Sequence, residues 1–220
     1  MKIIDASYEI RRLNLEDDIR EIAHAYCMCY RMPLPESYQD RCDIIRRHRK
    51  HESCLEHSIM TVEFTINRGI GYEIIRHRHT HLDHAVTQES TRYCNYSKDK
   101  FGNELTFINN SAFVKDSHEY DIWVQGLQAD EDEYMYLVKM GMKPEEARDC
   151  LPNALSTRLK ISANFREWRN IFKLRCDSHA HYQMREVMQP LCSQMIVEAP
   201  CVFDDLTDIL VESVMHNERR

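Results

Sequence analysis

The sequence predicts an α+β protein, and three observations carry the prediction. Between Ser58 and Asn67 the apolar residues Met60, Val62, Phe64 and Ile66 alternate with Thr61, Glu63 and Thr65, the period of two of a half-buried strand. Elsewhere apolar residues return at helical spacing, as Leu15, Ile19, Ile22, Ala23 and Tyr26 and again as Ile122, Trp123, Leu127, Tyr134, Leu137 and Val138. The 220 residues include only 5 Gly and 6 Pro while 43% are hydrophobic, so a core can be buried and no stretch reads as a linker. With no internal repeat either, a single domain over residues 1–220 is expected.

The elements follow in chain order. After a short first segment, the first helix is stopped by Pro33-Leu34-Pro35, and a second is expected from Glu36 to His48. Gly69 and Gly71 read as punctuation after the strand, with a short helix over Tyr72 to Arg76 leading into Arg76-His77-Arg78. The long amphipathic helix closes near Gly141, and Pro144 suits the first position of the next helix. Asn164 followed three residues later by Glu167 has a capping-box pattern. Asp177 or Ser178 is expected to cap a further helix, kinked at Pro190, with Val187, Met188, Leu191 and Met195 on one face.

Composition excludes several classes. The formal net charge of -7 disfavours a surface that wraps a nucleic-acid polymer, so any bound anion is expected to be small. No apolar run reaches the roughly 20 residues of a membrane helix, and Met1 to Ala6 lacks a signal-peptide core, so a soluble cytoplasmic protein is expected. Nine scattered cysteines without a CxxC pair fit reduced thiols.

Three polar clusters remain: His51 to His57, then Arg76-His77-Arg78 running on to Gln88-Glu89-Ser90-Thr91-Arg92-Tyr93, then Asn164 to His179 with Arg166, Asn170 and Arg175. Guanidinium groups offer parallel donors to a phosphate or carboxylate, and helix N-termini add backbone N–H groups. The same residues could equally pair with glutamates across solvated helix faces. His77, His79, His81, Asp83 and His84 raise a metallohydrolase as an alternative, although no HExxH or complete ligand set is present and no metal is expected. Cys94 reads as filler rather than nucleophile, and Ser90 lacks the Gly-x-Ser-x-Gly elbow.

The order HExxxEH, strand, RHR, Ser90-Thr91-Arg92-Tyr93 and a late Leu174-Arg175-Cys176-Asp177-Ser178-His179-Ala180 resembles the flavin-dependent thymidylate synthases over most of the chain. The resemblance implies an α+β fold with an antiparallel or mixed sheet flanked by long helices. It also implies a homotetramer with active sites between chains, FAD as cofactor, NADPH and methylenetetrahydrofolate as co-substrates, and dUMP or a related pyrimidine deoxynucleotide as substrate. By motif position it places His51, Ser53, Glu56, Arg76, His77, Arg78, Asn164, Arg166, Asn170 and His179 at FAD. It places Glu73, Gln88, Glu89, Ser90, Arg92, Arg148 and Arg175 at dUMP, with Arg175, Ser90 and Arg92 closest to the chemistry. In such enzymes reduced flavin supplies the hydride, and no cysteine attacks the pyrimidine.

This chain departs from the family pattern at several positions. The stretch from His79 to Thr87 is longer than the hallmark's spacing, the hallmark's first Ser and its Asn lack counterparts, Glu73 stands where Gln is frequent, and Cys27 stands where Arg is common. A variant reaction follows as an alternative: hydroxymethylation, in which water placed by His79, His81, Asp83 and His84 replaces hydride. A nucleotide-binding paralogue without activity is a further one.

Overall fold

The computed structural model describes residues 1–77 and 84–217. In chain order its elements are β1 (Lys2–Ile4), β2 (Ser7–Arg12), α1 (Leu15–Tyr30), α2 (Tyr38–His48), β3 (Met60–Asn67), α3 (Arg68–Ile74), β4 (His84–Gln88), β5 (Thr106–Ile108), α4 (His118–Lys139), α5 (Pro144–Ala147), β6 (Ser156–Ala163), α6 (Phe165–Arg175), α7 (Tyr182–Glu198), α8 (Pro200–Phe203) and α9 (Thr207–Asn217). A four-stranded sheet has the order β2-β3-β6-β4, and β1 pairs in parallel with β5, Lys2 opposite Thr106. The α+β expectation holds. No described helix is long and apolar enough to cross a membrane.

The chain divides into two compact units, each gathered from separate segments. The first comprises Met1–Ser7, Phe64–Arg76 and Thr87–Leu159; the second comprises the described parts of Tyr8–Glu63, His77–Val86 and Lys160–Arg220. In the first, Tyr96, Leu105, Phe107, Leu127, Tyr134, Ala147 and Leu155 form one buried cluster. Tyr96 and Tyr134 meet edge to face at 5.8 Å, the arrangement favoured by the ring quadrupoles. In the second, Phe203 packs edge to face on Phe165 and Phe172 at 5.4 and 5.9 Å. Trp168 lies beside Phe172 and donates its indole N–H to the Met60 carbonyl at 3.1 Å, so its one polar atom is satisfied at full burial.

Most local expectations hold, with two corrections. The short helix expected at Tyr72 begins at Arg68 instead, because the Asn67 side chain accepts the Ile70 N–H at 2.8 Å and caps it. Gly69 and Gly71 therefore lie inside a helix. α7 is capped by His181, which accepts the Gln183 N–H at 3.3 Å, because Asp177 is engaged with the backbone and ring of His179, both at 2.8 Å. α7 runs through Pro190, and Val187, Met188, Leu191 and Met195 are all buried as expected. Gly141, at φ +96, follows α4, and Pro144 opens α5.

One ion pair, between a buried arginine and a partly exposed aspartate, ties the second unit together. Arg169 is almost fully buried, gives two parallel hydrogen bonds of 2.7 Å to the Asp205 carboxylate, and donates to the Val202 carbonyl. Burial pushes the Asp205 carboxyl upward, but the hydrogen bonds and charge of Arg169, with Arg49 nearby, outweigh it and hold the group below its ordinary 3.8. A carboxylate with a depressed folded-state pKa contributes stability above its unfolded value, and that contribution fades as pH falls through the folded value. Asp205→Asn should therefore destabilise the protein at pH 7 by about 1 to 2 kcal/mol, less than for a fully buried pair because water screens the partly exposed carboxylate. It should also flatten the loss of stability below pH about 4; chemical denaturation of both proteins across that range checks both statements.

Candidate functional site

The polar residues form two sets, one in each compact unit. In the first unit, β3 ends at the Asn67 cap and α3 opens with Arg68, whose guanidinium donates to the Glu89 carbonyl at 3.3 Å and lies 5.5 Å from the Tyr72 ring centre. Arg68, Tyr72, Thr91, Arg148, Asp149, Leu151, Pro152 and Asn153 line a cavity of about 310 Å³. Two arginines in one polar cavity provide forked donors of the kind that hold phosphate. Gln88 closes β4 beside α3, its amide donating to Thr157 Oγ1 at 3.4 Å. A Cβ on Gly71 would come within 2.8 Å of that amide nitrogen, so glycine is the residue that lets Gln88 lie across the helix.

After β4 the chain turns at Ser90, whose hydroxyl accepts the Arg92 N–H at 3.3 Å while its carbonyl accepts Cys94 N–H at 2.9 Å. Arg92 is exposed and pairs with Glu145 at 2.7 Å, and this partner holds the Glu145 carboxyl below its ordinary value. Glu89 points elsewhere, accepting the buried Tyr96 hydroxyl at 2.8 Å. It lines a second cavity, of about 280 Å³, with Lys100, Phe101 and Arg158 among others. Glu73 is half-buried on α3 and Arg76 exposed just beyond it. Cys94 is half-buried, and burial raises its thiol pKa; a thiolate is disfavoured there, consistent with its reading as filler.

In the second unit the donors gather around α6. The Asn164 side chain accepts the Glu167 N–H at 2.8 Å and caps this helix, so Arg166, Asn170 and Arg175 leave from fixed positions on it. Arg166 is paired with Glu56 and lies 3.9 Å from Glu52, which tethers α6 to the turn carrying His51 and Ser53. The His51 carbonyl accepts the buried Tyr26 hydroxyl at 3.1 Å, fixing the start of that turn to α1. Lys173 reaches Glu52 at 3.4 Å. His77 is buried, and its Nε2 accepts Arg175 Nε–H at 2.8 Å. His179 is exposed beyond the helix end, in contact with Asp177.

Of the sequence-predicted residues, His51, Ser53, Glu56, His77, Asn164, Arg166, Asn170, Arg175 and His179 fall in the second unit; Glu73, Arg76, Gln88, Glu89, Ser90, Arg92 and Arg148 fall in the first. Gln88 and Glu89 are not brought together. Arg78, His79, His81 and Asp83, and with them most of the long stretch after RHR, lie outside the described residues. Among the described residues no group of three or more His, Cys, Asp or Glu could hold a metal ion. Sequence reasoning missed Arg68, Tyr72 and Glu167. An Asn directly after a strand, followed by Arg-Gly-x-Gly, is the signal that could have found Arg68.

An α+β fold carrying two such sets of guanidinium, amide, imidazole and hydroxyl groups offers donors of the kind that hold small anions. Residues 10–201 match the family model described as thymidylate synthase complementing protein, and the chain belongs to this family, the flavin-dependent thymidylate synthases. It is 30% identical over 146 residues to the flavin-dependent thymidylate synthase of Pyrococcus furiosus, covering 66% of this chain and 57% of that protein. It is likewise 30% identical over 156 residues to the one of Geobacter sulfurreducens, covering 70% of this chain and 64% of that protein. The matched region thus spans less than two thirds of these relatives' length. Two solved structures share the fold. The UMP/dUMP methylase PolB from Streptomyces cacaoi bound with 5-Br dUMP has a TM-score of 0.72 at 17% identity, covering 95% of this chain and 98% of that one. Thymidylate synthase X from Helicobacter pylori with FAD and dUMP has a TM-score of 0.69 at 20% identity, covering 91% and 98%.

Gly71→Ala gains about 1 kcal/mol of helix propensity but pushes the tip of a flexible side chain, so the melting temperature should stay within a few degrees. The Gln88 amide should be displaced from Thr157. Thermal melts and the side-chain amide NMR resonances of Gln88, recorded on the same sample, check both statements.

Proposed function

We propose that the protein is an FAD-dependent enzyme that methylates dUMP at C5 to give dTMP, taking its carbon from methylenetetrahydrofolate and its reducing equivalents from NADPH. The observation that carries this reading is the pair of donor sets built on the Asn-capped helices α3 and α6, in a chain that belongs to the family by sequence. The names of the relatives and the FAD and dUMP in the Helicobacter pylori structure support it.

The donor chemistry in the second unit fits a flavin dinucleotide. Arg166 is half-exposed at the start of an 11-residue helix, where the backbone dipole also favours a pyrophosphate, and His51, Ser53, Asn170 and His179 add imidazole, hydroxyl and amide groups. In the proposal these residues hold FAD together with Asn164, Arg76 and Arg78, Glu56 holds Arg166 until the ligand takes its place, and His77 acts through Arg175. Bound FAD would supply the two-electron reduction that turns a methylene into a methyl group.

The remaining residues act on the nucleotide. Arg92, Arg148 and Ser90 would hold its phosphate and sugar, and Gln88, Glu73 and Arg175 would face the base. An arginine donating to a uracil carbonyl draws electron density from the ring and stabilises the negative charge that develops on that oxygen when the ring accepts a hydride. Arg175 suits this role because its planar guanidinium is a forked donor whose Nε is already held by His77. Glu89 would serve the loop through Tyr96 rather than contact the ligand. We keep residues 1–220 as one functional domain, acting as a cytoplasmic homotetramer, since neither compact unit is a continuous stretch of chain.

Protein reconstituted with FAD should show a flavin absorption spectrum that dUMP perturbs, and with NADPH and methylenetetrahydrofolate it should form dTMP. UMP belongs in the same assay, because PolB is described as a UMP/dUMP methylase. Arg175→Ala should lower kcat/KM for dUMP by about 100-fold or more with the fold intact, as expected for loss of a charged hydrogen bond at the reacting group. A 5-hydroxymethyl product, or unchanged kinetics in Arg175→Ala, would overturn the corresponding part of the reading.

A further inference from the structure

We propose that Glu167 is a positioning residue that sets the orientation of Arg175 by acting through His77; this rests on the reading that Arg175 is a nucleotide contact. The three side chains come from the joint after α3 and from α6, and His77 sits between the other two. Arg175 Nε lies 2.8 Å from His77 Nε2, and Glu167 Oε1 lies 3.7 Å from His77 Nδ1. The His77 and Glu167 side chains are 7% and 6% exposed.

The chemistry of the three groups allows one proton arrangement. A guanidinium can only donate, so His77 Nε2 must present its lone pair, and the neutral ring then carries its proton on Nδ1. That N–H faces the Glu167 carboxylate. A ring turned by 180° about its Cβ–Cγ bond would put carbon atoms opposite both partners, so Glu167 selects the ring orientation and the tautomer together. In a site this dry, the attraction between a carboxylate and an imidazole N–H acts at a separation that water would screen.

The effect on Arg175 is directional. Its guanidinium plane is fixed through the Nε edge, so the edge bearing Nη1 and Nη2 is aimed rather than free to rotate about the last side-chain bond. Aiming a group before the ligand arrives removes an ordering cost from binding. The capping role at this position does not need the carboxylate, because the Glu167 backbone N–H makes the bond to Asn164. Side-chain variants at Glu167 therefore leave the start of α6 in place.

Two replacements of similar volume make the test, in the full-length FAD-loaded protein. Glu167→Met removes the acceptor; Glu167→Gln retains a carbonyl oxygen that can accept the Nδ1 proton. The expected result is a KM for dUMP raised about tenfold in Glu167→Met with a smaller change in kcat, and a value within about threefold of wild type in Glu167→Gln. In an Arg175→Lys background, which lacks the Nε–H, Glu167→Met should add no further loss. A wild-type KM in Glu167→Met, or equal impairment in both replacements, overturns the proposal. Ring-nitrogen NMR of the wild type, with His77 assigned by its absence in His77→Asn, gives a readout that needs no stable Glu167 variant: an Nδ1–H tautomer supports the relay and an Nε2–H tautomer overturns it. The underlying reading fails separately, if Arg175→Ala binds dUMP normally; a crippled Arg175→Ala beside a normal Glu167→Met removes only the relay.

Discussion

Two asparagine side chains fix where the functional groups of this protein stand. β3 and β6 are neighbours in the sheet; Asn67 closes the first and Asn164 directly follows the second, and each caps the next helix, Asn67 accepting the Ile70 N–H and Asn164 the Glu167 N–H, both at 2.8 Å. Both side chains are nearly buried, so the orphan donors of each first helical turn would have no water to turn to without them. The strand sets the position of the cap and the cap sets the phase of the helix. Arg68 follows from the first joint, and Arg166, Asn170 and Arg175 follow from the second. Each strand begins in one compact unit and ends in the other, so the same device delivers an arginine-bearing helix to each.

The arginines so placed fall into two electrostatic kinds. Arg92 with Glu145 and Arg166 with Glu56 are partly exposed pairs, and such pairs contribute only about 0 to 1 kcal/mol each. A phosphate can take the place of those carboxylates at small cost, which suits a ligand site in a chain of net charge -7. Arg169 with Asp205 is different: the guanidinium is 4% exposed and both carboxylate oxygens are engaged, so removing Asp205 strands a buried cation although the carboxylate itself is partly exposed. Neighbouring arginines on one helix thus divide between holding the fold and meeting solvent, according to what their partners would lose.

The elements legible in the sequence were those whose signal is local. The alternation from Met60 to Ile66, the periodicity of Leu15 to Tyr26, the Asn164 cap and the apolar face of α7 need only neighbours in the chain, and all four elements form, although β3 is covered on both faces rather than half-buried, with Thr61 buried and Glu63 and Thr65 partly so. Gly69 and Gly71 were misread because glycine marks both turns and close approaches. Gly71 is a close approach, to a side chain 17 residues away in sequence, and spacing carries no trace of that. Glu167 was legible as a capping residue but not as the neighbour of His77, a contact across 90 positions that only the folded chain reveals. The binding roles assigned to His51, Arg92 or Arg175 came from motif order rather than from chemistry readable at each residue.

The adjacent Gln88 and Glu89 show how a strand divides a motif. Successive side chains at the end of a strand point to opposite faces, so two neighbours in a motif cannot both meet one ligand unless the backbone turns between them. Here Gln88 lies against Gly71 and Thr157, while Glu89 keeps the extended pairing, its N–H on the Arg158 carbonyl at 2.9 Å, and sends its carboxylate to Tyr96. Burial and the adjoining Glu89 charge both raise the Tyr96 pKa, so the phenol keeps its proton and the hydrogen bond persists at neutral pH. Glu89 thereby anchors the loop from which Ser90 and Arg92 extend. The pleat of the strand divides the motif into a residue that can face a ligand and a residue that holds its neighbours in place.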